Sequence, residues 1–399
     1  MSDRGAPLSV YVHVPFCTVK CAYCDFNSYA NLEDEIPAWE AALLEELRLW
    51  AAASAGRPVP TVFFGGGTPS LLEGEAVQRL MDQVRTRWPL DADAEVTLEA
   101  NPESVSAERL LKYRAAGVNR ISMGVQSLQP EELIFLDRIH SAERAQEAFR
   151  LLRDAGFENV SVDLIFGLPQ QSLGSWQDTV ERVLGWGPDH VSAYALIVEE
   201  GTPLASRVAR GEVRPADADV VASMSEWTEL RLERAGYRQY EISNYAREGH
   251  ECRHNLAYWR HAEYVGVGPG AHGFVNGVRY AVERSPMRYA QLLAPGRPGS
   301  KIATPAAVSQ ETVDADTAAV DTFVMGLRLN AGIDVDAFVR EFPVQWSRWE
   351  AVVEWATGVE LTERSGGWLR LTPKGRRLAD ELFVRIMEPA LIEDRPGRA

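Results

Sequence analysis

The chain predicts an α/β fold with a parallel sheet, on two observations. Short apolar strands alternate with amphipathic helices until six strands have passed, and this texture stops after about Pro215. The strands are expected at Val10–Val14, Pro60–Phe64, Glu95–Glu99, Arg120–Val125, Asn159–Phe166 and His190–Ile197. Between them, Glu33–Ala53 carries Ala38, Ala42, Leu43, Leu44, Leu47, Leu49 and Trp50 at helical spacing, and further helices are expected near Glu73–Arg87, Ala107–Ala116, Ser141–Ala155 and Ser175–Leu184. Six units are too few to close an eight-stranded barrel, which leaves an open partial barrel or a doubly wound sheet.

Beyond Pro215 come a helix near Val220–Ala235, the segment Tyr237–Tyr245 and a Gly-rich, aromatic stretch to Tyr280. Ala294–Ser300, with two Pro and two Gly, is a linker or loop. After it follow a helix over Asp314–Leu329, a turn-bounded strand at Trp368–Gly375 and a last helix over Arg377–Met387, an outline similar to a small winged helix. The expected division is 1–215 for the partial barrel, 216–300 for an extension of it and 301–399 for the C-terminal module.

The balance of charges bounds the partners. With 41 basic and 57 acidic side chains in 399 residues the net charge is −16, which repels phosphate backbones, so the module is expected to serve packing or partner contact and not DNA. No stretch approaches the roughly 20 apolar residues of a membrane span. The N-terminus, Met1 to Pro7, has no signal-peptide pattern before the first cysteine motif, and three of four cysteines are crowded together, so a reducing cytoplasm is expected.

Those three cysteines carry the chemistry. Cys17-Thr18-Val19-Lys20-Cys21-Ala22-Tyr23-Cys24 has the spacing C-x3-C-x2-C, one thiolate short of a full set for a four-iron cluster. A structural zinc site would close with a fourth Cys or His at short spacing, and neither His13 nor the distant Cys252 fits. With Tyr23 before the third cysteine, the motif resembles that of the radical S-adenosylmethionine superfamily. This resemblance implies a [4Fe-4S] cluster on Cys17, Cys21 and Cys24, S-adenosylmethionine on the open iron, an electron donor, and the partial (β/α)6 barrel of that superfamily.

In such a barrel the carboxyl ends of strands face the site. Gly65-Gly66-Gly67-Thr68-Pro69 follows the second strand, and its bare backbone suits a bound amino-acid head group. No Gly-Lys-Ser/Thr follows, so it is not a phosphate loop. The segment is similar to the superfamily's GGG-T-P run, which implies contacts from Gly66, Gly67 and Thr68. Glu99 ends the third strand, Gln126 the fourth, Arg138 follows in Leu136–His140, and Asp163 lies within the fifth. A carboxylate among apolar strand residues requires a partner or a ligand, and Asp163 with Arg138 can form a structural pair. Their order is similar to that of the oxygen-independent coproporphyrinogen III oxidase family, which implies S-adenosylmethionine contacts at these positions and a place in the site for Tyr11.

Two departures bear on which branch of that family is in hand. The oxidase proper has a fourth cysteine where this chain has Phe26, and a longer segment ahead of the motif, where only sixteen residues precede Cys17. Both resemble the heme chaperone branch, and leave open whether radical chemistry is performed. His254-Asn255-Leu256-Ala257-Tyr258-Trp259 matches that branch's H-N-x-x-Y-W motif. The resemblance implies heme as ligand, with His254 or the nearby Cys252 on iron and Asn255, Tyr258 and Trp259 around the macrocycle. Taken without the family, His254 is a hydrogen-bonded structural histidine. His272, in Gly268–Gly273, lies in a tight turn near the barrel mouth, its glycines not opening a βαβ unit. The expected function is binding of heme and its transfer to heme-requiring proteins, membrane respiratory enzymes among them, with a homodimer also open. The alternative is oxidative decarboxylation of coproporphyrinogen III.

Overall fold

In the computed structural model, which describes residues 5–54, 56–294 and 304–393, each strand–helix unit starts from one sequence device. Inside the sheet, strands alternate polar and apolar residues with period two. In β5 (Asn159–Phe166) Val160, Val162, Leu164 and Phe166 pack into the main core, while Asp163 and Ile165 line an inner cavity. The same alternation runs through β1 (Ser9–Val14), β2 (Val59–Gly66), β3 (Leu90–Ala100), β4 (Arg120–Gln126) and β6 (His190–Ala195). Their outward side chains meet α1 (Ile36–Ala53), α2 (Gly74–Arg87), α3 (Ala107–Ala115), α4 (Ala142–Asp154) and α5 (Leu173–Trp186) in one core. The last three helices begin on serines, Ser106, Ser141 and Ser172, whose hydroxyls accept from the amides of Arg109, Arg144 and Ser175, worth about 1 kcal/mol each.

The six expected strands form, with short boundary shifts. They are not alone in the sheet. After α6 (Ala218–Arg234), β7 (Arg238–Gln239) and β8 (Asn244–Ala246) add antiparallel to the β6 edge. The chain then passes through α7 (Arg253–Trp259) to the opposite edge, where β9 (Tyr264–Val267) pairs parallel with β1 in the register Ser9↔Tyr264 to Val12↔Val267. Next to it lie β10 (His272–Val275), β11 (Val278–Val282) and β12 (Ala307–Thr312), all antiparallel. The sheet has twelve strands in the order β12-β11-β10-β9-β1-β2-β3-β4-β5-β6-β8-β7, and its ends do not pair with one another, so the barrel is open. The extension is therefore split between both edges.

A second core, separate from the first, gathers Phe323, Phe338, Trp349, Leu369 and Leu382. It belongs to α8 (Ala315–Arg328), the short helix Val335–Glu341 that carries Phe338, α9 (Pro343–Gly358), α10 (Ala379–Glu393) and a three-stranded sheet in which β13 (Ile333–Asp334) and β14 (Thr362–Ser365) flank β15 (Trp368–Leu371). The β14–β15 hairpin is the wing. The expected boundary at residue 301 shifts, because β12 belongs to the large sheet. Arg376 and Arg377 pair with Glu229 and Glu226 of α6, tying the module to the barrel. Of the expected linker, residues 295–300 lie outside the described residues. No helix among the described residues is long and apolar enough to cross a membrane.

Candidate functional site

The carboxyl ends of the parallel strands open on a cavity of about 430 Å³, and its wall includes Cys17, Cys21 and Cys24. All three are free thiols. One hydrogen-bonded chain joins the first two. Thr68 Oγ1 donates to Cys17 Sγ at 3.6 Å, Asn101 Nδ2 to Thr68 Oγ1 at 3.1 Å, Arg138 Nη2 to Asn101 Oδ1 at 2.7 Å, and Arg138 Nη1 to Cys21 Sγ at 3.9 Å. From the other side the Ala22 amide donates to Asp137 Oδ2 at 3.1 Å, and Lys20 Nζ reaches the carbonyls of Phe26 and Ser28. Cys17 and Cys21 are thus held in place by residues that follow the second, third and fourth strands. Among the described residues no three His, Cys, Asp or Glu side chains close round a single metal ion, whereas the three thiols share one cavity wall, an arrangement that suits a multi-iron cluster.

The glycine run is a fitted cradle. A side chain at Gly67 would stand 2.6 Å from the Phe16 carbonyl oxygen and 3.0 Å from Cys17 Sγ, and Gly66, at φ +113°, lies against the His13 ring. Gly66 N–H donates to Glu99 Oε2 at 3.0 Å. Burial, reinforced by the charge of Asp163, pushes the Glu99 carboxyl up to about 7. Asp163 is raised too, by burial, against the donations of Ser192 at 2.6 Å and of Ser122 and Ser161. Arg120 favours the ionised form of both, yet burial keeps both raised, so the pair can also accept a cationic guest, which the sulfonium and amino groups of S-adenosylmethionine supply.

The structural pair open to Asp163 and Arg138 is not formed. Arg138 serves Asn101, the Gly124 carbonyl and Cys21, and Asp163 serves three serines. Tyr23, Gly66, Gly67, Thr68, Glu99, Gln126, Arg138, Asp163 and Asn255 all border the cavity with the cysteines. Gln126 does so from a left-handed backbone at φ +67°. Tyr11 does not. Its hydroxyl meets His13 Nδ1 at 2.9 Å and its ring stacks on Phe63. Asn101, Arg120, Ser122, His190 and Ser192 also line the space and were not singled out from the sequence. Their signal was the polar period-two face of strands that are otherwise apolar.

In the H-N-x-x-Y-W segment the histidine is hydrogen-bonded, as the residues read without the family suggest. The segment forms α7, which closes the floor at the amino ends of the strands. Glu95 accepts from the amides of Arg253 at 3.0 Å and His254 at 3.1 Å and from Cys252 Sγ at 3.6 Å, so a strand carboxylate caps the helix. His254 is 1% exposed, and both ring nitrogens are engaged, Nδ1 with Thr61 Oγ1 at 2.8 Å and Nε2 with Tyr258 Oη at 2.9 Å. Since Thr61 donates to Ser9, Nδ1 carries the proton and Nε2 accepts. Burial lowers this imidazole to about 3. In this arrangement His254 offers iron no free nitrogen, and Cys252, fully buried with its thiol pushed up to about 12, offers no thiolate. Trp259 is covered by the Arg328 guanidinium, 5.5 Å from its ring, and Asn255 alone of the motif reaches the cavity. Glu95→Ala is expected to cost about 1–3 kcal/mol by orphaning these donors. A urea midpoint unchanged from wild type would remove the capping role.

Residues 11–183 match the radical SAM superfamily and residues 313–378 the HemN C-terminal domain. The chain is 44% identical to the heme chaperone HemW of Mycobacterium tuberculosis (strain CDC 1551), over 96% of this chain and 95% of that one. It is 47% identical to HemW of Escherichia coli K12, over 67% of this chain and 70% of that one. Radical S-adenosyl methionine domain-containing protein 1, mitochondrial, of Bos taurus is 43% identical over 68% and 63%. Among solved structures, the coproporphyrinogen III oxidase HemN of Escherichia coli superposes with a TM-score of 0.80 at 23% identity, over 95% of this chain and 90% of that one, which shows a shared fold.

Proposed function

Because this chain belongs to the HemW family of the radical S-adenosylmethionine superfamily, we propose that it is a heme chaperone, one that binds heme and passes it to heme-requiring proteins. Cys17, Cys21 and Cys24 would hold a [4Fe-4S] cluster, which supplies an electron-donating centre with one open coordination position. Gly66, Gly67 and Thr68 would receive the amino-acid end of S-adenosylmethionine, with Glu99 and Asp163 answering its positive charge. Arg138 and Asn101 orient two of the thiols and keep water from their hydrogen-bonding positions. Asn255 presents its amide to the same space from the floor.

One observation favours the chaperone over the oxidase reading. Phe26, standing where the oxidase family has a further cysteine, is 57% exposed beside the cavity mouth. An exposed aromatic ring there gives an apolar macrocycle a surface to rest on and gives a metal nothing. The heme acceptors, membrane respiratory enzymes included, and the electron donor are part of this proposal.

Anaerobic reconstitution followed by hemin titration tests it. The expected result is a saturable Soret band at about one heme per chain, lost on mixing with a heme-free acceptor protein, and no protoporphyrinogen from coproporphyrinogen III. Absence of any heme band from a protein with an intact cluster would remove the proposal.

A further inference from the structure

The large sheet ends in two edges, and the chain treats them differently. At one end β7 is only two residues long, and the chain leaving α8 of the C-terminal module runs against it. Asn330 N–H donates to the Tyr240 carbonyl at 3.0 Å, Asn330 Nδ2 donates to the Gln239 carbonyl at 2.8 Å, and Leu329 forms an antiparallel bridge with Glu241. Backbone groups that would recruit another strand are occupied there.

At the other end β12 is six residues long and pairs with β11 on one side, with no strand on its outer side among the described residues. Ser309, Gln310, Glu311 and Thr312 are all exposed and Val308 is 59% exposed, so neither face of the strand is covered. The usual means of blunting an edge are few here. The strand has no Pro and no Lys, and its one charge, Glu311, lies 3.9 Å from Arg279 of β11. A register shift falls near its start, between Ala281 and Val282 of β11, and leaves Ser309–Thr312 in unbroken pairing from Ala281↔Ser309 to Val278↔Thr312.

Symmetry decides what can join such an edge. Pairing of β12 with β7 of another copy would run head to tail into an open filament, and the module blocks it. Pairing of β12 with β12 of another copy, antiparallel about a two-fold axis, fills both bare edges at once and leaves none to extend. An axis at Gln310 sets Glu311 opposite Ser309 of the second copy, so like charges do not face each other.

We propose that two copies of this chain join edge to edge through β12 as a closed two-fold dimer with one continuous sheet. The inference stands whatever ligand the cavity holds. The contact is small, so monomer and dimer are expected to exchange over about 1 to 100 µM protein.

Sedimentation velocity of the full-length reconstituted protein over that range tests it, with amide hydrogen exchange read across Ala307–Thr312. The expected result is a shift from one chain mass to two, with exchange in β12 slowing as the dimer forms. Successive residues of a strand direct their N–H groups to opposite edges, so of Ser309→Pro and Gln310→Pro one removes a donor from the outer edge alone. That variant is expected to keep its circular dichroism and to weaken dimerisation about tenfold or more. A protein that stays monomeric throughout overturns the proposal, and so does a dimer that neither proline weakens. Amides of β12 that exchange equally slowly in the dilute monomer overturn it too, because the chain would then cover its own edge.

Discussion

Arg120→Met is expected to destabilise the protein by about 3–5 kcal/mol, the usual penalty for stripping the partner from a buried charge. Arg120 is 2% exposed at the start of β4, and its Nε has no hydrogen-bond partner. Burial pulls its protonation down, yet the negative charge of its surroundings, Glu95 and Asp163 included, holds it above the ordinary guanidinium value. Methionine fills similar space and offers neither carboxylate a countercharge. The sign of the pH response separates this cause from simple misfit. Asp163 has a raised pKa in the fold, so acidification neutralises it earlier than in the unfolded chain, and the deficit should shrink as pH falls. Urea midpoints of wild type and variant at pH 5 and pH 8 measure it. A deficit independent of pH would mean lost packing, not orphaned charge.

S-adenosylmethionine binding is expected to tighten about tenfold between pH 6 and pH 8. Glu99 titrates at about 7 in the fold, and a cationic guest selects its ionised form, which is scarce at pH 6 and dominant at pH 8. Binding at low pH must therefore release a proton. The same shift acts on stability with opposite consequence for the ligand-free protein. Its folded pKa is raised, so the unfolded chain ionises first, and stability falls as pH climbs from the ordinary carboxylate range through 7. Anaerobic calorimetry in buffers of different ionisation heat reads the proton directly, and Glu99→Gln should flatten the profile. A wild-type profile already flat would mean that Glu99 does not face the ligand's charge.

How much of this was legible beforehand depends on how local each signal is. The βα units were, because each strand and its covering helix are neighbours in sequence and Ser106, Ser141 and Ser172 mark the helix starts. The cysteine loop and the glycine cradle were legible for the same reason. β9 was missed, since Tyr-Val-Gly-Val is a four-residue run whose partner Ser9–Val12 lies some 255 positions earlier, and nothing nearby announces it. α9 escaped because its apolar residues do not keep to one stripe, Trp346 and Trp349 being buried while Trp355 is exposed. The polar lumen was hidden by composition. Arg120, Ser122, His190 and Ser192 sit singly between Val, Ile, Met and Ala, and their convergence exists only once β4, β5 and β6 are side by side. His254 shows the converse, a residue whose type suggests a ligand and whose neighbours, Thr61 and Glu95, make it a keystone.

The route of the chain from one edge of the sheet to the other governs the order in which the molecule can be made. While residues up to 215 emerge from the ribosome, the Ser-Val-Tyr-Val-His-Val strand has its second-strand neighbour on one side and bare amides and carbonyls on the other, and only the arrival of Tyr264–Val267 covers them. The floor helix is delivered in the same interval. A nascent chain of this protein thus carries a sticky, unfinished border for a large part of its synthesis, and completion of the pocket is a late event on the assembly line.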